Sequence, residues 1–249
     1  DHDNSLIKGS TINRLTYEAI PTEIGTTFSS KYAENNAMGK IGFNFSEGNQ
    51  SFGAYYRFMY SHTNPLNIGT EWMNSESLLS RKISSEGNMR NHLISIYYDN
   101  MIVGNKHFHF DGNYRGSNDD KFNETSYKSY QRQNVNSVQN QTSTLWAGKA
   151  YLDFSFVGGN ITVGTQDSYT HTKLDYRMLN QTVETYIPSS LTDAKQTSLA
   201  AFTSWSRQFG KFSLSAGLRY EYVDYLFTVD GEKDTDVSRT NHFFTQIGR

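Results

Sequence analysis

The chain has 249 residues and a formal net charge of −2, from 23 Lys and Arg against 25 Asp and Glu. That balance argues against a nucleic-acid partner, and the absence of Cys excludes a disulfide framework or a thiolate metal site. No run approaches the roughly 20 apolar residues of a membrane helix. The opening from Asp1 to Ser10 has no basic and apolar leader pattern, so a signal peptide is expected to be absent or already removed. A load of 16 Phe, 17 Tyr and 3 Trp beside a mean hydropathy of −0.67 is too aromatic for a disordered chain. It means that aromatic and polar residues are finely interleaved.

Apolar residues recur with period two, as on a strand with one buried face. In the first hairpin, about 40–61, Phe52, Ala54, Tyr56, Phe58 and Tyr60 alternate with Ser51, Gly53, Arg57 and Ser61 around a turn at Ser46–Gln50. The second, about 89–115, sets Phe108, Phe110 and Tyr114 against His107, His109, Asp111 and Arg115, with its turn at Asp99–Asn105. The third, about 143–170, opposes Trp146, Ala150, Leu152, Phe154 and Phe156 to Lys149, Tyr151, Asp153 and Ser155, turning at Val157–Asn160. In the fourth, about 196–222, Phe212, Leu214, Leu218 and Tyr220 alternate with Ser213, Ser215, Arg219 and Glu221 after a turn at Gln208–Lys211. Weaker strand patterns at Glu23–Tyr32 and His242–Ile247 bring the expected total to about ten strands.

Between the hairpins lie His62–Asn88, Gly116–Gln141, His171–Ala194 and Val223–Asn241, rich in Asn, Ser, Thr, Asp and Gln and holding Pro65 and Pro188. They read as long loops. Short turns alternating with long loops put all turns at one end and all loops at the other. The expectation is an all-β fold, an antiparallel up-and-down meander forming an outer-membrane β-barrel or part of one. A soluble barrel or sandwich whose apolar faces bury each other stands as the alternative. Nothing in the composition divides residues 1–249 into domains.

The segment Gln196–Arg249 carries a family pattern. Ala200, Ala201 and Phe202 run into Gly210, Lys211 and Phe212. Ala216, Gly217, Leu218, Arg219, Tyr220 and Glu221 follow, then Asp230, Gly231, Ser238 and Arg239. This series resembles the barrel domain of TonB-dependent outer-membrane receptors, in particular the "outer membrane protein β-barrel" family; Met38–Ser61 is similar to an earlier hairpin of the same family. The resemblance implies a barrel of roughly 22 strands with an N-terminal plug, driven by the TonB energy-transducing system. With about ten strands, the chain is expected to be an internal barrel piece. Its partners would be outer-membrane lipid, TonB through a plug region elsewhere in the parent protein, and an extracellular nutrient.

Five charged residues, Arg57, Lys149, Asp153, Arg219 and Glu221, fall on the polar faces and are expected to line the lumen and pair there. His107 and His109, at i and i+2 with Asp111 beyond, have a spacing suited to a metal; the plainer reading, a hydrogen-bonding polar face, is favoured because no fourth ligand is indicated. Asn118, Asp119 and Asp120 are a weaker loop-calcium candidate without the EF-hand pattern. No cofactor and no catalytic constellation are indicated, so an enzyme is the least expected class. Tyr127, Tyr130, Tyr169, Tyr176 and Tyr186, among polar residues of the expected loops, are the candidate ligand contacts. A receptor segment for uptake of a bulky nutrient leads, before a small closed outer-membrane barrel acting as adhesin or anchor, and before a soluble glycan- or lipid-binding module. A ten-stranded piece has two open edges, relieved by closure into a narrow barrel or by edge pairing with a second copy, with closure favoured.

Overall fold

The computed structural model describes residues 2–17, 20–73, 76–102, 106–128, 134–184 and 186–248. The first five strands are β1 (His2–Tyr17), β2 (Ile20–Glu47), β3 (Gln50–Thr63), β4 (Leu66–Met73) and β5 (Glu76–Ile102). Then come β6 (Lys106–Tyr127), β7 (Val135–Phe156) and β8 (Gly159–Met178), and a short helical segment, α1 (Gln181–Glu184). The chain closes with β9 (Ser190–Phe209), β10 (Phe212–Val229), β11 (Glu232–Lys233) and β12 (Arg239–Gly248). All twelve described strands join one sheet. Every pairing is antiparallel, as a meander requires.

The strands are longer than their apolar patterns. Much of each segment expected to be a loop continues the ladder: β6 runs on to Tyr127, β7 begins at Val135, β8 reaches Met178 and β10 reaches Val229. Their polar residues alternate no hydrophobicity, so periodicity gives no strand signal there. The ladder extends because each added antiparallel pair satisfies backbone groups in a register already set below. The pattern at Glu23–Tyr32 is likewise the upper half of β2, and β1 was not anticipated.

The segment after His62 is corrected in the same way. Thr63 faces Glu34 and Leu66 faces Lys31 in one register along β2, so β3 and β4 are one strand with a gap. Across the gap, the Asn64 amide donates to the Ala33 carbonyl (2.9 Å) and the Ser85 amide to the Pro65 carbonyl (3.0 Å). Pro65 has no N–H to return to β5, which explains a break at this residue.

The hairpin turns are tight. Val157 and Gly158 have φ of 50° and 67°, and Asp230 and Gly231 have 52° and 86°. Positive φ at both central residues is the type I′ pattern, whose twist matches that of the strands it joins. The turn expected at Asp99–Asn105 includes residues 103–105, which lie outside the described residues.

Register fixes the two faces. Trp146 pairs with Tyr114 and Tyr169, Leu152 with Phe108 and Val163, and Leu218 with Thr203; one face is therefore apolar from strand to strand. Near the turns it carries Phe45, Phe52, Phe154 and Trp205; Trp146 lies about 27 Å beyond Phe154 on β7, at roughly 3.4 Å per residue, and Tyr56, Tyr114 and Tyr169 share its row across the sheet, Tyr56 being only about 14 Å beyond Phe52 on β3. Two aromatic belts around an aliphatic band is the pattern of a bilayer-crossing sheet. Within the sheet there is almost no core: Met178 and Ala200 are the only buried apolar residues among those described, while Ile41, Phe43 and Trp146 are more than half exposed. Burial in hydrocarbon, rather than in a protein interior, must therefore supply the apolar stabilisation.

A crossing strand needs about 9–11 residues. The remainder of each 20-residue strand stands clear of the bilayer on the side away from the turns. Narrow closure is not what the structure shows: among the described residues β1 pairs with β2 alone and β12 with β10 alone. Among the described residues the sheet therefore has two open edges, at β1 and β12.

Candidate functional site

The polar face, which turns inward in barrels of this kind, holds its densest charge beside the turns of β5–β6 and β7–β8. His107 and His109 share that face on β6, and the hairpin register brings Asp99 of β5 opposite His109. Asp99 Oδ1 lies 3.0 Å from His107 Nε2 and 2.7 Å from His109 Nδ1. The outer nitrogens reach two more carboxylates: His107 Nδ1 to Asp153 at 3.5 Å and His109 Nε2 to Asp111 at 2.5 Å. The result is a chain, Asp153–His107–Asp99–His109–Asp111, across three strands. Thr162 of β8 extends it by donating to Asp153. Tyr151 stacks on His109 with ring centroids 4.8 Å apart, and the Lys149 ammonium lies 5.1 Å from the Tyr151 ring centre.

Four ring nitrogens facing carboxylates can all donate only if both imidazoles are protonated. Through these contacts the chain of five stitches β5, β6 and β7 together above their turns, and Thr162 adds β8. Each ring nitrogen is already engaged by a carboxylate, and among the described residues no group of three or more His, Asp and Glu is arranged to hold a metal. Asp99 was hidden from sequence reasoning because it was counted in the turn; the signal was its position across the hairpin from His109, on the same face.

Arg57, Lys149, Asp153, Arg219 and Glu221 all fall on this polar face by register. They do not form one mutual cluster. Arg219 Nε bonds Glu221 Oε2 at 3.2 Å, and Ser198 donates to the other oxygen of Glu221. Lys149 sits over aromatic rings, Asp153 belongs to the histidine chain, and Arg57 makes no ion pair among the described residues. The reason is distance along an open wall, which spreads these charges over seven strands instead of crowding them.

The tyrosines are corrected more strongly. Tyr127 ends β6, and Tyr169 and Tyr176 lie within β8, so none of the three is in a loop. Tyr169 is on the apolar face between Trp146 and Thr197. Tyr176 and Tyr127 are on the polar face at different levels. Tyr186 alone stands on a connection, just after α1, and is 84% exposed; Tyr130 lies outside the described residues. The calcium candidate also dissolves into β6: Asn118, Asp119 and Asp120 alternate faces, and Asp119 bonds Lys121 at 2.7 Å.

Above the bilayer, the polar face is held by hydrogen bonds. Tyr32 and Ser61 both donate to Glu34, at 2.7 and 2.9 Å, and these bonds hold its carboxyl below the usual range. On the opposite face, Arg177 chelates Asp175, which lowers the Asp175 carboxyl and raises the guanidinium.

The sequence matches the model of the outer membrane protein beta-barrel family over residues 103–246. The chain belongs to that family. Its place is the outer membrane. No curated protein sequence matches it significantly. Among solved structures it is similar to the outer membrane protease OmpT from Escherichia coli, at 9% identity and a TM-score of 0.32, over 99% of this chain and 94% of that one. It is also similar to the copper transporter OprC, at 8% identity and a TM-score of 0.48, over 99% and 41%. The siderophore receptor PiuA from Acinetobacter baumannii is a third, at 9% and 0.41, over 98% and 46%. The chain thus spans under half the length of the second and third of these barrels.

Proposed function

We propose that this chain forms part of the barrel wall of a TonB-dependent receptor that takes up a bulky extracellular nutrient. The observation that carries this reading is the sheet itself: among the described residues, ten long strand paths, counting β3 with β4 as one, with a polar inner face and no further strand paired at the outer edges of β1 and β12. In hydrocarbon an unpaired edge costs several kcal/mol per unsatisfied group, so such a wall needs further strands to close. A wide barrel is what a bulky solute requires, and the receptor-like series from Ala200 to Arg239 supports the same reading. The partners follow from it: bilayer lipid on the apolar face, TonB through a plug elsewhere in the parent protein, and the nutrient within.

The test is uptake by cells carrying the parent gene, with and without a functional TonB system. Nutrient-limited growth that depends on both supports the reading. Growth indifferent to TonB excludes it and leaves a closed anchor or adhesin barrel as the better account.

A further inference from the structure

The polar face is not evenly charged. Lys40 of β2 pairs directly with Arg57 of β3, Arg57 with Leu93 of β5, and Leu93 with Arg115 of β6. Three cations therefore stand in one row across four strands, about 14 Å from end to end at roughly 4.8 Å per strand. Like charges directly opposite each other cost a sheet stability, so Lys40 beside Arg57 calls for a counter-charge. The wall does not provide one. Lys40 lies over the Tyr55 ring at 4.1 Å, Arg115 donates to the Asn91 Oδ1 at 3.4 Å, and none of the three has an ion pair among the described residues.

No carboxylate of the same face cancels this row. From β2 to β6 the rows directly above and below it hold neither Asp nor Glu. The nearest acids of the face are Asp111 and Asp119, each four residues from Arg115 and so about 14 Å away along β6. Both are engaged, Asp111 by His109 and Asp119 by Lys121, and Asp111 also stands opposite Lys149. Asn91, the next residue of the face above Leu93, is 6% exposed, and its Nδ2 has no hydrogen-bond partner among the described residues. A buried donor left unmatched is costly, and this one lies beside the arginines.

Arg57 and Arg115 directly follow Tyr56 and Tyr114 in the chain, so the row stands at the level of the belt far from the turns, facing the interior. A solute entering from that side meets it first. We infer that the row docks an anionic nutrient, a solute with two or more carboxylate or phosphate groups that bridge Arg57 and Arg115, with Lys40 beside them. Guanidinium groups suit such anions because their forked donors bond two oxygens at once. The inference rests on the transport reading and names the class of solute carried.

The experiment is isothermal titration calorimetry of the whole parent protein in detergent with tricarballylate, tripolyphosphate, acetate or uncharged glycerol. Saturable binding of one or both polyanions, much tighter than acetate and absent with glycerol, is expected, and this comparison needs no variant. Arg57→Gln and Arg115→Gln should each weaken that binding about tenfold, the scale of one charge-assisted hydrogen bond. Arg57→Lys should recover part of the loss, and Lys149→Gln, two rows nearer the turns, should leave the affinity unchanged. Failure of both polyanions to bind would overturn the inference, as would indifference to both arginine substitutions. Binding that emerges only when the plug is deleted would also overturn it, because the row would then seat an acidic segment of the protein itself. TonB-dependent growth without polyanion binding defeats this inference alone; polyanion binding without TonB dependence keeps the anion site and defeats the transport reading.

Discussion

Trp146 and Tyr169 stand directly opposite each other across the β7–β8 ladder, on the apolar face, and Trp146 is 57% exposed there. An indole left this bare in water would forfeit most of the stabilisation an aromatic side chain provides. Its exposure makes sense only against lipid. In single-tryptophan variants, brominated lipids should quench Trp146 and Trp205 strongly and Trp72 weakly. Trp72 shares their face but lies far up β4, beside Gly25 of β2. Strong quenching of Trp72 alone would mean that the membrane level is misplaced.

Val157 occupies the first central position of a type I′ turn at φ 50°, a conformation that β-branched residues resist. Val157→Asn should relieve about 1 kcal/mol of strain. The readout is a higher urea midpoint for the protein folded in micelles, with the slope unchanged.

Asp99 accepts from two imidazoles at once. Asp99→Ala leaves both nitrogens without that acceptor, and a cost of about 1–3 kcal/mol is expected, toward the low end because the side chain is about one-third exposed. Asp111→Ala, which removes only one contact and a more exposed carboxylate, should shift the midpoint less. An equal loss from both would contradict the central place of Asp99 in the chain of five.

Glu34 gives a pH dependence with a definite sign. Hydrogen bonds from Tyr32 and Ser61 lower its carboxyl in the folded wall below the ordinary value of about 4.5. Its contribution is therefore fully present above that value and is lost only as pH falls through the lower, folded one. Amide exchange in the upper parts of β2 and β3 should stay flat from neutral pH down to about 5, once corrected for intrinsic rates, and rise in stronger acid. Glu34→Gln should abolish the rise.

The membrane-crossing half of this fold was legible because lipid imposes a simple rule on it: Phe52, Trp146, Leu152 and Leu218 all announce their face by period two. The half above the bilayer was not. Between Gly116 and Gln141, or His171 and Ala194, water wets both faces, so polar residues stand on both sides of the strand and the pattern that marks a strand is absent. The candidate site divides the same way. His107 and His109 could be placed on a face from sequence, but Asp99 joins them only through the hairpin register, and Thr162 only through the third. Tyr169 was misplaced because a girdle tyrosine and a loop tyrosine look alike when the strand's upper boundary is unknown.

The central claim, that this chain is part of a larger wall rather than a complete pore, is tested most directly by conductance in a planar bilayer. The 249-residue chain, refolded alone, should give no uniform, long-lived open level, because β1 and β12 remain unpaired with each other. Large, stable openings of a single size from this chain would contradict the account and identify a self-sufficient porin.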